Sequence, residues 1–147
     1  MAIQLIYVTA LAAKPRYPQG PVVYSLHAHL VFSPKYRRGT FTDEILTRCE
    51  EIMLAVCADF ETELVEFNGE RDHVHLLVHY PPKVALPRLV VSLKGVSARR
   101  LRQECPGHIQ KYLWGAHFWS PSYFAASCGG APLSIIKEYI EQQKRPR

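Results

Sequence analysis

At 147 residues and 48% apolar content the chain has the material for one folded domain and too large an apolar share for a disordered one. A formal charge of +5 and a pI of about 9.1 favour a polyanionic partner by Coulomb attraction and counterion release, without naming it. The four cysteines, Cys49, Cys57, Cys105 and Cys128, form no C-x-x-C pair, which argues against a zinc ribbon or disulfide framework and for a reducing, cytoplasmic setting; no membrane span is expected.

Residues 1–20 lack a basic leader and are broken by Lys14-Pro15-Arg16 and Tyr17-Pro18. They read as an N-terminal extension to a single domain of residues 21–147. Val22 to Ser33 is predicted as the first strand, ending at Pro34, and Lys35-Tyr36-Arg37-Arg38-Gly39 as a basic turn. A helix starts near Thr42 or Asp43, with Ile45, Leu46, Cys49, Ile52, Met53, Val56 and Cys57 on its apolar stripe. Residues 61–80 read as a β-hairpin turning at Asn68-Gly69-Glu70-Arg71 and closed by Pro81-Pro82. Leu86 to Cys105 forms a second helix, stopped by Pro106-Gly107. His117 to Ala126, interrupted by Pro121, is a fourth strand at an edge or with a bulge. Gly129-Gly130 makes a flexible hinge before a last helix from about Pro132 to Lys144. The order β-α-β-β-α-β followed by a helix is an α+β, ferredoxin-like plan: an antiparallel sheet with two helices on one face and the other face available.

His73 and His75 flank Val74 on a strand, so both imidazoles point to one face of the sheet, about 7 Å apart along the chain. That can be two ligands of one cation, or two half-buried structural histidines. Asp72 is expected on the opposite face, and His79 too far along. Tyr139 and Gln143 lie at i and i+4 and share a helix face, as a nucleophile with a neutral ligand or as ordinary neighbours on an amphipathic helix. A set of two imidazoles and an amide leaves a dication's charge available to a phosphate. From the ligands alone manganese or another transition ion fits best, with magnesium also open. Imidazole must be neutral to bind metal, so activity is expected to fall below about pH 6. Lys35, Arg37 and Arg38 around Tyr36, with Lys94, Arg99, Arg100 and Arg102 on the second helix, supply the cationic and aromatic mix that DNA binding requires. A second His-x-His, His27-Ala28-His29, is taken as structural or DNA-facing.

Several segments together resemble the single-tyrosine HUH transposases of the smallest bacterial insertion sequences. They are His29-Leu30-Val31-Phe32 leading to Lys35-Tyr36-Arg37-Arg38, Asp72-His73-Val74-His75-Leu76-Leu77, Pro81-Pro82-Lys83, Ser92-Leu93-Lys94-Gly95-Val96-Ser97, Trp119-Ser120-Pro121-Ser122-Tyr123-Phe124 and Tyr139-Ile140-Glu141-Gln142-Gln143. The resemblance spans about residues 23–143. It implies a homodimer that cuts and rejoins single-stranded DNA at element ends folded as hairpins, through a 5′-phosphotyrosine and without a nucleotide cofactor. His73, His75 and Gln143 would hold the divalent metal ion (Mg2+ or Mn2+) and Tyr139 would be the nucleophile. Gly129 and Gly130 would let the tyrosine helix complete the partner's site. The competing expectations are a catalytically inactive single-stranded nucleic-acid-binding module on the same fold, and a metal-dependent hydrolase that uses water.

Overall fold

The computed structural model describes residues 25–113, 115–128 and 132–146, so the N-terminal extension and the Gly129-Gly130 hinge lie outside the described residues. Four strands, β1 (His27–Phe32), β2 (Glu63–Glu70), β3 (His73–His79) and β4 (Phe124–Cys128), form one antiparallel sheet in the order β2-β3-β1-β4. Helices α1 (Asp43–Asp59), α2 (Leu86–Glu104), α3 (Pro106–Tyr112) and α4 (Pro132–Glu141) complete the fold. Strand order and connectivity are those of the split βαβ plan. None of the helices among the described residues is long and apolar enough to cross a membrane.

α1 begins where the sequence says it must. The Thr42 hydroxyl accepts from the Ile45 amide at 3.2 Å, and Asp43 and Glu44 occupy the electropositive first turn. All seven apolar-stripe residues are buried. α2 buries Leu89, Val90, Leu93 and Leu101. Both helices pack on the sheet face that carries Ala28, Leu30, Phe32, Val74, Leu76 and Val78, forming the main core. Alternation sends the intervening histidines to the other face.

Four expectations need correction. The hairpin does not turn at Asn68-Gly69: β2 continues through both to Glu70, and the chain reverses at Arg71-Asp72. Gly69 is there for close approach, because a Cβ would lie 2.6 Å from the His73 carbonyl oxygen and 3.0 Å from Leu46. Pro106 does not merely stop α2 but opens α3, as proline at a first helical position can. The fourth strand starts at Phe124 rather than His117: Trp119 makes only an isolated bridge to Pro34, and Trp119 Nε1 is committed to Ser97 Oγ at 3.0 Å. The last helix ends at Glu141, so Gln143 lies just past it, still one turn from Tyr139.

Candidate active site

β3 holds His73 and His75 on the sheet face away from α1 and α2, as the period of two requires. α4 crosses that same face. Its Leu133, Ile136 and Ile140, spaced for one helical side, pack on Leu77, Cys128 and Val65 in a second, smaller core. This leaves Tyr139, half exposed, at the rim beside the histidines. Its ring centroid is 5.5 Å from that of His75 and 6.4 Å from that of His29. The residues that sequence reasoning paired on two separate elements thus meet in one place.

The end of α4 is fastened by a residue expected only to turn a hairpin. Asn68 Nδ2 donates to the carbonyl oxygens of Ile140 at 3.1 Å and Gln143 at 3.0 Å, with Glu141 at 3.4 Å. These are carbonyls of the last turn and of the residues just beyond it; that of Ile140 also accepts from the Gln143 amide at 3.1 Å. Arg145 Nε donates to Asn68 Oδ1 at 2.8 Å, and its other nitrogens reach Glu50 at 3.0 Å and Thr47 at 3.1 Å on α1. The Glu66 carboxyl is pushed up by burial and by its hydrogen bond to Glu141, so two acids share the α4–β2 junction. Asn68→Ala is expected to raise amide hydrogen exchange across residues 133–141 at least about tenfold while sparing α1, since a segment opens locally when the bonds holding its end are removed. Unchanged exchange in α4 would show that its apolar face alone secures it.

The imidazoles have assigned partners on both sides. His73 Nδ1 donates to Asp72 Oδ1 at 2.8 Å, and Arg37 pairs with the same carboxylate at 3.1 Å. Asp72 was expected on the opposite face; it lies in the turn before β3, where strand alternation does not apply, and its side chain swings back onto His73. The Asp72 carboxylate is held below its usual range: burial pushes it up, but His73 and Arg37 outweigh that. His73 Nε2 then faces Gln143 Oε1 at 3.3 Å and Glu70 Oε2 at 3.4 Å. His75 is buried, with Nδ1 2.9 Å from His29 Nε2, and Gln143 also bonds it. Two imidazole nitrogens and an amide oxygen therefore converge, a neutral donor set that suits a divalent transition ion. Glu70 is the acid on the Nε2 side of His73. Among the described residues no three His, Cys, Asp or Glu side chains form a metal-binding group by themselves.

Burial, then the neighbouring His29 and His73, lowers His75 to about 4, against a small opposing effect of Gln143. Its own protonation therefore falls well under the pH 6 limit expected from free histidine. A depressed histidine pKa means that the unfolded chain takes up a proton near pH 6.5 that the folded chain refuses until about 4. Without metal, stability present above pH 6.5 should be lost as pH falls through that window, and His75→Gln should flatten the loss. Chemical denaturation at pH 7 and pH 4.5 for both proteins checks this; parallel profiles would remove His75 as the source.

The family model for IS200-like transposases matches residues 22–143. This chain belongs to that family. It is 35% identical over 121 residues to the ISDra2 transposase TnpA of Deinococcus radiodurans, covering 82% of this chain and 86% of that one. It is 30% identical over 115 residues to the transposase for insertion sequence element IS200 of Salmonella typhimurium, covering 78% and 74%. The crystal structure of a candidate transposase from Deinococcus radiodurans R1 superposes with a TM-score of 0.68 at 34% identity, over 86% of this chain and 98% of that one. A REP-associated tyrosine transposase bound to a REP hairpin has a TM-score of 0.60 at 12% identity, over 83% and 70%, which speaks to the fold alone.

The basic residues of this transposase divide into two groups. Tyr36 is 77% exposed, with Lys35 Nζ 5.4 Å and the Arg38 guanidinium 5.7 Å from its ring centre. Tyr36 and Arg37 both hold left-handed backbone, at φ 60° and 52°, a conformation uncommon for such residues and one that concentrates at functional sites. Lys94, Arg99 and Arg102 sit on α2, across the sheet from Tyr139. Lys94 donates to the Ser120 carbonyl at 2.7 Å, and Arg102 donates to those of Leu113 at 3.1 Å and Gly115 at 2.9 Å. Arg99 is exposed. The structure thus spends Lys94 and Arg102 on the loop after α3, and presents the Lys35–Arg38 turn to solvent. Sequence reasoning missed Arg145, took Asn68 only for a turn residue, and read His29, in the second His-x-His, only as structural or DNA-facing.

Proposed function

We propose that this transposase cuts and rejoins single-stranded DNA at element ends, with Tyr139 as the nucleophile and His73, His75 and Gln143 as ligands of a divalent cation, Mn2+ or Mg2+. The observation that carries the reading is the meeting of Tyr139 with His75, 5.5 Å between ring centroids, while Gln143 from the same segment reaches His73 at 3.3 Å. When bound, such a cation would polarise a non-bridging phosphate oxygen. The chain's own residues supply the rest. α4 brings the phenolic oxygen to the phosphorus, which loses its bond to the 3′ oxygen as it gains one to tyrosine. The phenol proton leaves, a proton ends on the released 3′-hydroxyl, and the 5′-phosphate stays on Tyr139. A phenolate is a better leaving group than an alkoxide, so a 3′-hydroxyl can reverse the step, with no nucleotide cofactor.

The DNA is proposed to be hairpin-shaped, in keeping with the REP hairpin bound by the structural relative. The exposed Tyr36 between Lys35 and Arg38 offers a stacking face with phosphate-pairing cations beside it. A homodimer is part of the proposal. β4 pairs only with β1 among the described residues, and the outward Phe124 at its start is 53% exposed, so a second copy has an edge to join. Residues 21–147 would form the whole catalytic domain, with residues 1–20 as an appendage. The test is incubation with labelled single-stranded element ends and Mn2+ under denaturing readout. A covalent protein–DNA band is expected. Hairpin binding without that band would instead fit an inactive binding module, and cleavage without it a water-using hydrolase.

A further inference from the structure

His29 has a role that its position in a second His-x-His does not disclose. In the β1–β3 register His29 lies opposite Leu77 and Val31 opposite His75, which makes His29 and His75 diagonal neighbours on the same face. Long side chains bridge that diagonal. Their rings are nearly parallel, 20° between planes and 5.1 Å between centroids, and meet edge to edge with His29 Nε2 at 2.9 Å from His75 Nδ1. The bond has to carry one hydrogen. If His29 supplied it, His75 would keep its own hydrogen on Nε2 and could not bind a cation there while neutral. If His75 Nδ1 supplies it, Nε2 is a lone pair turned toward Gln143.

We infer that His29 is a positioning residue: it accepts the Nδ1 hydrogen of His75 and so fixes the tautomer and ring orientation in which His75 Nε2 ligates the metal. This rests on the proposed metal site and adds its outer partner. Asp72 does the same for His73 through Nδ1 at 2.8 Å, so each histidine would have its own orienting acceptor, one a carboxylate and one an imidazole. His29 also touches Phe124 edge-on at 5.6 Å, so a purely packing role is the competing explanation.

Two substitutions at one position separate these roles. His29→Gln retains an acceptor near the place of Nε2 and loses the ring. His29→Phe retains the ring and loses the acceptor. Mn2+ affinity is read by electron paramagnetic resonance titration of free Mn2+, without DNA, on folded full-length protein, beside wild type and His75→Ala. His29→Phe should weaken Mn2+ binding roughly 10- to 100-fold, the cost usual for a lost outer partner, and His29→Gln should stay within about threefold of wild type. Wild-type affinity in His29→Phe overturns the inference, and so does a larger loss in His29→Gln than in His29→Phe. Failure of the metal site itself looks different: wild type and His75→Ala would then bind Mn2+ equally or not at all, and the role of His29 would fall with it.

Discussion

Tyr139→Phe should eliminate the covalent protein–DNA adduct and lower strand cleavage by roughly a thousandfold or more, as expected when a nucleophile is removed from a group acting as a unit. The substitution deletes one oxygen from a half-exposed ring at the rim of the site. The packing of α4 rests on Leu133, Ile136 and Ile140, and its end is held by Asn68, so the helix should stay in place. Hairpin affinity should therefore change by no more than about threefold, because phosphate contacts dominate binding. A gel that resolves adduct from free DNA, paired with a binding titration, gives both readings. An adduct of normal yield in the variant would move the nucleophile to another residue.

His73→Ala should be as damaging by a different route. It removes one of the three converging donors and leaves Asp72 paired only with Arg37. Cleavage should be undetectable at every Mn2+ concentration tried. Mn2+ affinity should drop more than the 10- to 100-fold associated with an outer partner, because a direct ligand is removed. The fold should survive, since His73 is a partly exposed side chain outside the main core, and far-UV circular dichroism would confirm it. Cleavage restored at high Mn2+ would reduce His73 to a helper; full activity at ordinary Mn2+ would remove the metal-ligand role.

The clamp on α4 bears on the same chemistry. The nucleophile rides on a ten-residue helix whose underside carries few large apolar residues. Short helices depend on tertiary packing and on satisfied ends more than on intrinsic propensity. The two hydrogens of Asn68 Nδ2 are shared among the carbonyls of Ile140, Glu141 and Gln143, and Arg145 ties that asparagine to α1.

Some of this was legible in the sequence because it depends on local periodicity. The seven buried residues of α1 follow from a 3.6-residue stripe, and the shared face of His73 and His75 follows from the period of two. The Asn68-Gly69 pair misled because its composition is that of a tight turn. In the fold the asparagine is claimed by a helix end more than seventy positions away, and the glycine by a crowded backbone. Likewise Lys94 and Arg102 look like a cationic helix face until the loop after α3 takes their hydrogens.

The sequence by itself determined α1, α2, the paired strands β1 to β3 and the pair of histidines on one strand face, since each is set by the spacing of side chains along a regular backbone, but not α3 or the bounds of β4. It also carried the segments that place the chain among IS200-like transposases. Only the tertiary structure decided that α4 lies across those histidines, that Asp72 and His29 lie within hydrogen-bond reach of their Nδ1 atoms, and that Asn68 and Arg145 fasten the tyrosine helix. Those contacts join residues from 46 to 102 positions apart, or turn on a bend outside the strand, and strand pairing and helix docking bring them within hydrogen-bond reach where local spacing has no say.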